Sequence, residues 1–190
     1  PIRTGTDTAF LLGVASEMIR LDKAEGDIVD WEFLDKYTVG FDADHKPEDL
    51  KEDVNFADYL EGKYDGVKHD AEWASAICGV PVEKITWFAR EIGKKKNVWL
   101  LHNFAAARCD ACENVPQLFM TLGAMGGHMG KPGNCTANNY DANAGNGGPA
   151  LEPEERDRRR HPRTSGVGSV PDRQVSHGRR LVLRQGLAGW

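Results

Sequence analysis

No run of about 18 uninterrupted apolar residues occurs, the minimum for a membrane-crossing helix, so a direct membrane span is not expected. Cysteine is scarce, four among 190 residues, and only Cys109 and Cys112 stand close together, as Cys-x-x-Cys. A tetrahedral zinc site wants two such pairs and an iron–sulfur cluster wants four thiolates, whereas Cys78 and Cys135 are single and distant. No G-x-G-x-x-G opens a helix. The stretch "MGGHMGKP" places Met125 where a phosphate-binding loop needs its first glycine and Pro132 where it needs serine or threonine. No Ser-His-Asp or G-x-S-x-G arrangement is present, and lysine is absent after Lys131. A charged-then-apolar leader is also missing. Pro1 opens directly onto a patterned segment, and the expectation is a piece of a longer polypeptide.

A hydrophobic share of 40% with five tryptophans marks a folded chain. Its length suits one domain, expected over residues 1–150, followed by a tail at 151–190. The first 150 residues carry 15 Lys+Arg against 24 Asp+Glu, a net of −9, and the last 40 carry 9 Arg against 5 Asp+Glu, a net of +4. An acidic body argues against a nucleic-acid partner. The Arg-rich tail "EERDRRRHPRTSGVGSVPDRQVSHGRR" reads as a disordered segment, with a basic arm and an out-of-frame translation as the other readings.

Helix signals dominate the body. "TAFLLGVASEMIRL" is too densely apolar for a helix with one wet face and reads as a mostly buried helix from Thr8 to Leu21, stopped near Gly26. Asp30 and Gly40 bracket a second helix and Asn55 and Gly62 a short third, with an acidic loop between them. Asp70 and Gly79 bracket a fourth. The next takes Pro81 into its first turn and carries Ile85, Phe88, Ala89 and Ile92 as an apolar stripe stopped by Gly93. "NVWLLHNF" is continuously apolar, as a strand covered on both faces would be. Val115, Leu118, Phe119, Leu122 and Met125 then return to helical spacing. Helix, strand, loop, helix is half of a doubly wound α/β unit, whose ligands sit beyond the strand's carboxyl end.

At "GTD", Gly5 allows a tight turn, and Thr6 or Asp7 can cap the helix that follows. A carboxylate at the mouth of an α/β unit can instead accept the two N–H donors of a guanine edge, or ribose hydroxyls. Arg108 lies just past the strand, where an anion would sit, and a salt bridge is its plainer role. Cys109 and Cys112 read as structural thiols, with a redox pair or a zinc pair left open. His128 reads as a lone surface or loop histidine, and His102 as a core or strand-end one. "NCT" at 134–136 matches a glycosylation acceptor.

Four segments in order resemble the molybdopterin oxidoreductases of the dimethyl sulfoxide reductase family. "PIRTGTDTAFLLGVASEMI" is similar to that family's I-P-[IV]-R-x-G-T-D-x-A entry into an apolar helix. "DWEFLDKYTVGFD" and "DAEWASAICGVPVEKITWFAREI" follow its next two motifs. "LLHNFAAARCDACE" with "LGAMGGHMGKPGN" follows its strand, cofactor loop and closing G-K-P-G. The resemblance covers residues 1–134.

It implies an internal part of a large oxidoreductase subunit of anaerobic respiration, from a Rossmann-like α/β layer binding a molybdenum or tungsten bis(molybdopterin guanine dinucleotide). It carries guanosine contacts onto Gly5, Thr6 and Asp7, and loop contacts onto Phe104, Ala105 and Arg108. The chain departs from the pattern at Asn103, Ala107 and Ala111-Cys112. Cys109 and Cys112 then fall inside a cofactor-facing loop rather than in a metal site. The resemblance places the iron–sulfur cysteines and the metal ligand upstream, with no catalytic or metal residue in this chain. Its partners would be the rest of the catalytic subunit and an iron–sulfur electron-transfer subunit. An independent thiol or zinc module, and a silent α/β scaffold binding a partner through its acidic face, are the alternatives.

Overall fold

The fold is organised around one long helix. In the computed structural model, which describes residues 1–45, 54–102, 112, 114–138 and 181–182, α1 runs from Asp7 to Glu25 and packs mainly against three other helices. These are α4 (Ala71–Cys78), α5 (Val82–Glu91) and α6 (Val115–Met125). Leu11, Leu12, Val14, Ala15, Met18 and Leu21 are buried on nearly every side of α1, as its apolar density predicts. Four residues beyond Leu21, "DKAE", extend the helix to the stop at Gly26.

Close approach is built into the α1–α4 crossing. A Cβ added to Gly13 would lie 2.4 Å from the Ala74 Cβ, so the two helices touch backbone to methyl. A buried charge ties α1 to α5: Thr86 Oγ1 donates to Glu17 Oε2 at 2.7 Å, and Arg20 holds the same carboxylate through Nε and Nη2.

Side-chain caps set the starts of the shorter helices. Asp30 accepts from the Phe33 amide ahead of α2 (Trp31–Tyr37), Asn55 from the Asp58 amide ahead of α3 (Phe56–Leu60), and Asp70 from the Trp73 amide ahead of α4. Gly79 ends α4 in the left-handed region at φ 75°. Two boundaries differ from the sequence expectation. α2 stops at Tyr37 rather than Gly40, because Thr38 turns extended and begins β1 (Thr38–Val39). Pro81 is the N-cap of α5 and lies outside its first turn.

β2 (Trp99–His102) and β3 (Cys135–Asn138) pair in parallel, Trp99 opposite Cys135 and His102 opposite Asn138, with α6 as the crossover between them. β1 pairs in parallel with β4 (Leu181–Val182). The remainder of the 151–190 tail lies outside the described residues.

β2 corrects the expectation of a strand covered on both faces. Its exposure alternates: Leu100 and His102 are buried, while Trp99 is 67% and Leu101 44% exposed. The apolar run reflected a cover that the described residues supply on one face only. Among the described residues, no helix is long and apolar enough to cross a membrane.

Candidate functional site at the amino end of α1

The Gly5-Thr6-Asp7 turn closes on Arg3. The Arg3 carbonyl accepts from the Thr6 amide at 3.3 Å and from the Thr6 hydroxyl at 2.7 Å. Gly5 carries the positive φ, 77°, that the turn needs. Thr6 is the N-cap of α1, and the first helical bond runs from the Phe10 amide to its carbonyl. Its hydroxyl points back to Arg3 and caps nothing.

Asp7 is the first residue of the helix. Its half-buried carboxylate makes no hydrogen bond or ion pair with the described residues, so the cap expected at Thr6 or Asp7 is not formed by either side chain.

The Asp7 side chain lines a half-open, largely apolar cavity of about 620 Å³. Phe10 and Leu11 of α1, Val80 and Pro81 before α5, Lys84, Trp87 and Phe88 of α5, and Phe119 of α6 form the rest of the wall with Pro1 and Ile2. The rings of Phe10 and Phe88 stand 5.5 Å apart, and the Lys84 ammonium lies 6.0 Å from the centre of the Trp87 ring. Among the described side chains of the lining, those of Asp7 and Lys84 are the charged ones, in an aromatic-walled cleft. Its volume is in the ordinary range for small-molecule sites. Such a cleft suits a flat heterocycle with N–H donors on one edge and an anionic substituent.

Phe119 joins this cavity to the carboxyl end of β2. Its ring packs on His102 at 5.3 Å between centroids, and His102, the last residue of β2, is buried with Nδ1 unpartnered. β2 therefore ends beside the cavity's Phe119 wall. Phe104, Ala105, Arg108 and Cys109, which follow it in the sequence, lie outside the described residues.

Sequence reasoning found the Gly5-Thr6-Asp7 turn and missed the walls. Lys84 and Trp87 sit three residues apart on α5, off the apolar stripe of Ile85, Ala89 and Ile92, and Trp87 is 54% exposed. A tryptophan on the wet face of an amphipathic helix was the available signal.

Two other motifs resolve as structure. His128 lies in the loop after α6, as one reading expected, but is buried rather than on the surface, with Nδ1 2.9 Å from Asn134 Oδ1 and Nε2 2.8 Å from the Ile92 carbonyl. Asn134 Oδ1 also accepts the Val98 amide, so the "NCT" asparagine is engaged in holding the start of β2 to the start of β3. Cys78 and Cys112 are buried in the apolar core, and no group of three metal-capable side chains occurs among the described residues. The thiol or zinc module finds no support.

The chain is similar to several curated reductases. It is 34% identical over 137 residues to dimethyl sulfoxide reductase DmsA of Haemophilus influenzae, covering 72% of this chain and 16% of that protein. It is 37% identical over 131 residues to DmsA of Escherichia coli, 68% of this chain and 16% of that protein. It is 32% identical over 149 residues to biotin sulfoxide reductase of Cereibacter sphaeroides, 78% of this chain and 18% of that protein. The chain thus spans about one sixth of the length of these relatives. No protein-family model matches it.

Proposed function

The chain belongs to the dimethyl sulfoxide reductase family of molybdopterin oxidoreductases, and from that premise we propose that it forms part of the wall gripping the guanosine end of a bis(molybdopterin guanine dinucleotide) cofactor. In this reading Asp7 accepts the two N–H donors of the guanine edge. Phe10, Trp87 and Phe88 offer faces for the base, and Lys84 supplies positive charge at the rim. Gly5 and Thr6 fix the turn that presents Asp7, and Phe104, Ala105 and Arg108 are proposed as further cofactor contacts. The surrounding layer is proposed to be doubly wound, with the β2–α6–β3 unit as one part of it.

The observation that carries this reading is the idle Asp7 carboxylate on the wall of an aromatic cleft. A half-buried carboxylate with no hydrogen-bond partner among the described residues gains most from a ligand that donates to it. When bound, the molybdenum cofactor supplies the two-electron redox chemistry, and these residues bind and orient it.

For the longer catalytic subunit, the named activities of the relatives favour reduction of S-oxides and N-oxides. An iron–sulfur electron-transfer subunit is the proposed partner. Asp7→Asn in the full-length subunit tests the site. Bound guanine nucleotide and molybdenum are expected to fall on the order of tenfold or more, the loss of one or two charge-assisted hydrogen bonds, with thermal midpoint little changed. Full molybdenum content with an early melt would make Asp7 a structural residue.

A further inference from the structure

Arg3 reaches across the fold to the end of another helix. Its Nη1 donates to the Ile77 carbonyl at 2.9 Å and to the Ala76 carbonyl at 3.1 Å, and its backbone amide donates to the Cys78 carbonyl at 3.0 Å. These are the last three carbonyls of α4, which have no partner within the helix. One residue, more than seventy positions away in sequence, answers all three.

The neighbouring cap fits around it. Gly79 turns left-handed at φ 75° to end α4, and a Cβ there would lie 3.4 Å from Arg3 Nε. On its other side, the Arg3 carbonyl receives both the amide and the hydroxyl of Thr6, the residue before Asp7. The path from the α4 terminus to the Asp7 carboxylate is therefore a chain of hydrogen bonds and two peptide units.

We infer that Arg3 is the positioning residue of Asp7: it fixes the Gly5-Thr6-Asp7 turn against the carboxyl terminus of α4, and so sets where the carboxylate stands on the cavity wall. The inference rests on the reading of Asp7 as a ligand-facing group. No hydrogen bond or ion pair of its own holds the Asp7 side chain among the described residues. Its place depends on the backbone that carries it. Arg3 is exposed and contributes little to the core. Its removal should loosen the turn without unfolding the helices, because the Ala76 and Ile77 carbonyls it leaves are exposed hydrogen-bond sites that water can take up, and the Arg3 amide still holds the Cys78 carbonyl.

The test uses the full-length subunit isolated with its cofactor, comparing Arg3→Ala, Arg3→Lys, Asp7→Asn and the Arg3→Ala/Asp7→Asn double variant. The readouts are the rate at which guanine nucleotide leaves the protein, its residual content, and the thermal midpoint. Arg3→Ala is expected to speed release on the order of tenfold, the worth of one charge-assisted hydrogen bond. Arg3→Lys, with one donor head in place of a planar fork, should fall between it and the parent.

The double variant should release no faster than Asp7→Asn alone, since a residue that acts through another adds nothing once the other is gone. Parental release from Arg3→Ala beside fast release from Asp7→Asn would overturn the inference and leave the Asp7 reading standing. Additive effects in the double variant with an early melt would make Arg3 a plain helix cap and overturn it as well. Parental release from Asp7→Asn would remove the underlying reading and the inference together.

Discussion

Glu17 and Thr86, on α1 and α5, meet through a 2.7 Å hydrogen bond across 69 residues of chain. Burial alone would raise the Glu17 pKa, but the Arg20 and Thr86 hydrogen bonds outweigh it, and the group titrates below its ordinary 4.5. A carboxylate depressed in the folded state stabilises fully above its unfolded pKa and loses that contribution as pH falls through the folded one. The thermal midpoint should therefore decline as acid is added below pH 4.5, and Glu17→Gln should flatten that decline. At neutral pH, Thr86→Val should cost about 1.5 kcal/mol, the low end for a hydrogen bond to a charged group because Arg20 remains. Denaturant unfolding reads this directly. A loss below about 0.5 kcal/mol would mean that Arg20 alone satisfies Glu17.

His45 carries a pH dependence of the opposite sign. Its Nδ1 lies 2.7 Å from Asp42 Oδ1 and its Nε2 2.7 Å from Asp35 Oδ1. The Asp42 hydrogen bond, against slight desolvation, lifts its pKa above 6.5. That stabilisation is complete below the unfolded value and disappears as pH rises through the folded one. The midpoint of the parent relative to His45→Ala should shrink between pH 6 and pH 9, a range spanning the ordinary 6.5. An NMR titration of the His45 ring should show the raised value, and an unshifted curve would exclude the ion pairs.

Gly13→Ala sets two effects against each other. Helix propensity favours alanine by about 1 kcal/mol. The new methyl would lie 2.4 Å from the Ala74 Cβ, less than any tolerated carbon–carbon contact, and overpacking costs about 1–3 kcal/mol. Overpacking should win, because Ala74 cannot move without its helix. Adding Ala74→Gly should restore most of the loss. A stabilised single variant would mean that α1 and α4 part easily.

Thiol reactivity should follow burial. Cys78 and Cys112 are 0% and 1% exposed, while Cys135 is partly open at the start of β3. Alkylation followed by peptide mapping should label Cys135 at least roughly tenfold faster than either buried thiol. Fast labelling of Cys112 would open again the metal or redox role that its burial argues against.

What was legible in the sequence was local. Asp30, Asn55 and Asp70 announce helix starts because a short side-chain oxygen reaches an amide three residues ahead whatever the surroundings. Gly79 ends α4 for an equally local reason. β3 was invisible: Cys-Thr-Ala-Asn carries little strand preference, and its conformation comes from pairing with β2. The site divided in the same way. Gly5, Thr6 and Asp7 form one turn and could be read as one, but Phe10, Lys84, Trp87 and Phe119 come together only when α1, α5 and α6 pack. Their shared cavity leaves no pattern in the chain.

The parallel pairing of β2 and β3 also sets an order of events during synthesis. The Val98 amide and the Asn134 side chain that bonds it are 36 residues apart, and a parallel pair cannot zip from a tight hairpin. α6 can form in about a microsecond once released, but at about 5–20 residues per second the ribosome needs several seconds to deliver β3 after β2. Throughout that interval Trp99 and Leu101, already the exposed face of β2, are joined by an open strand edge. The gap between β2 and β3 is therefore an interval in which the nascent polypeptide carries an apolar strand face beside an edge that β3 has yet to pair.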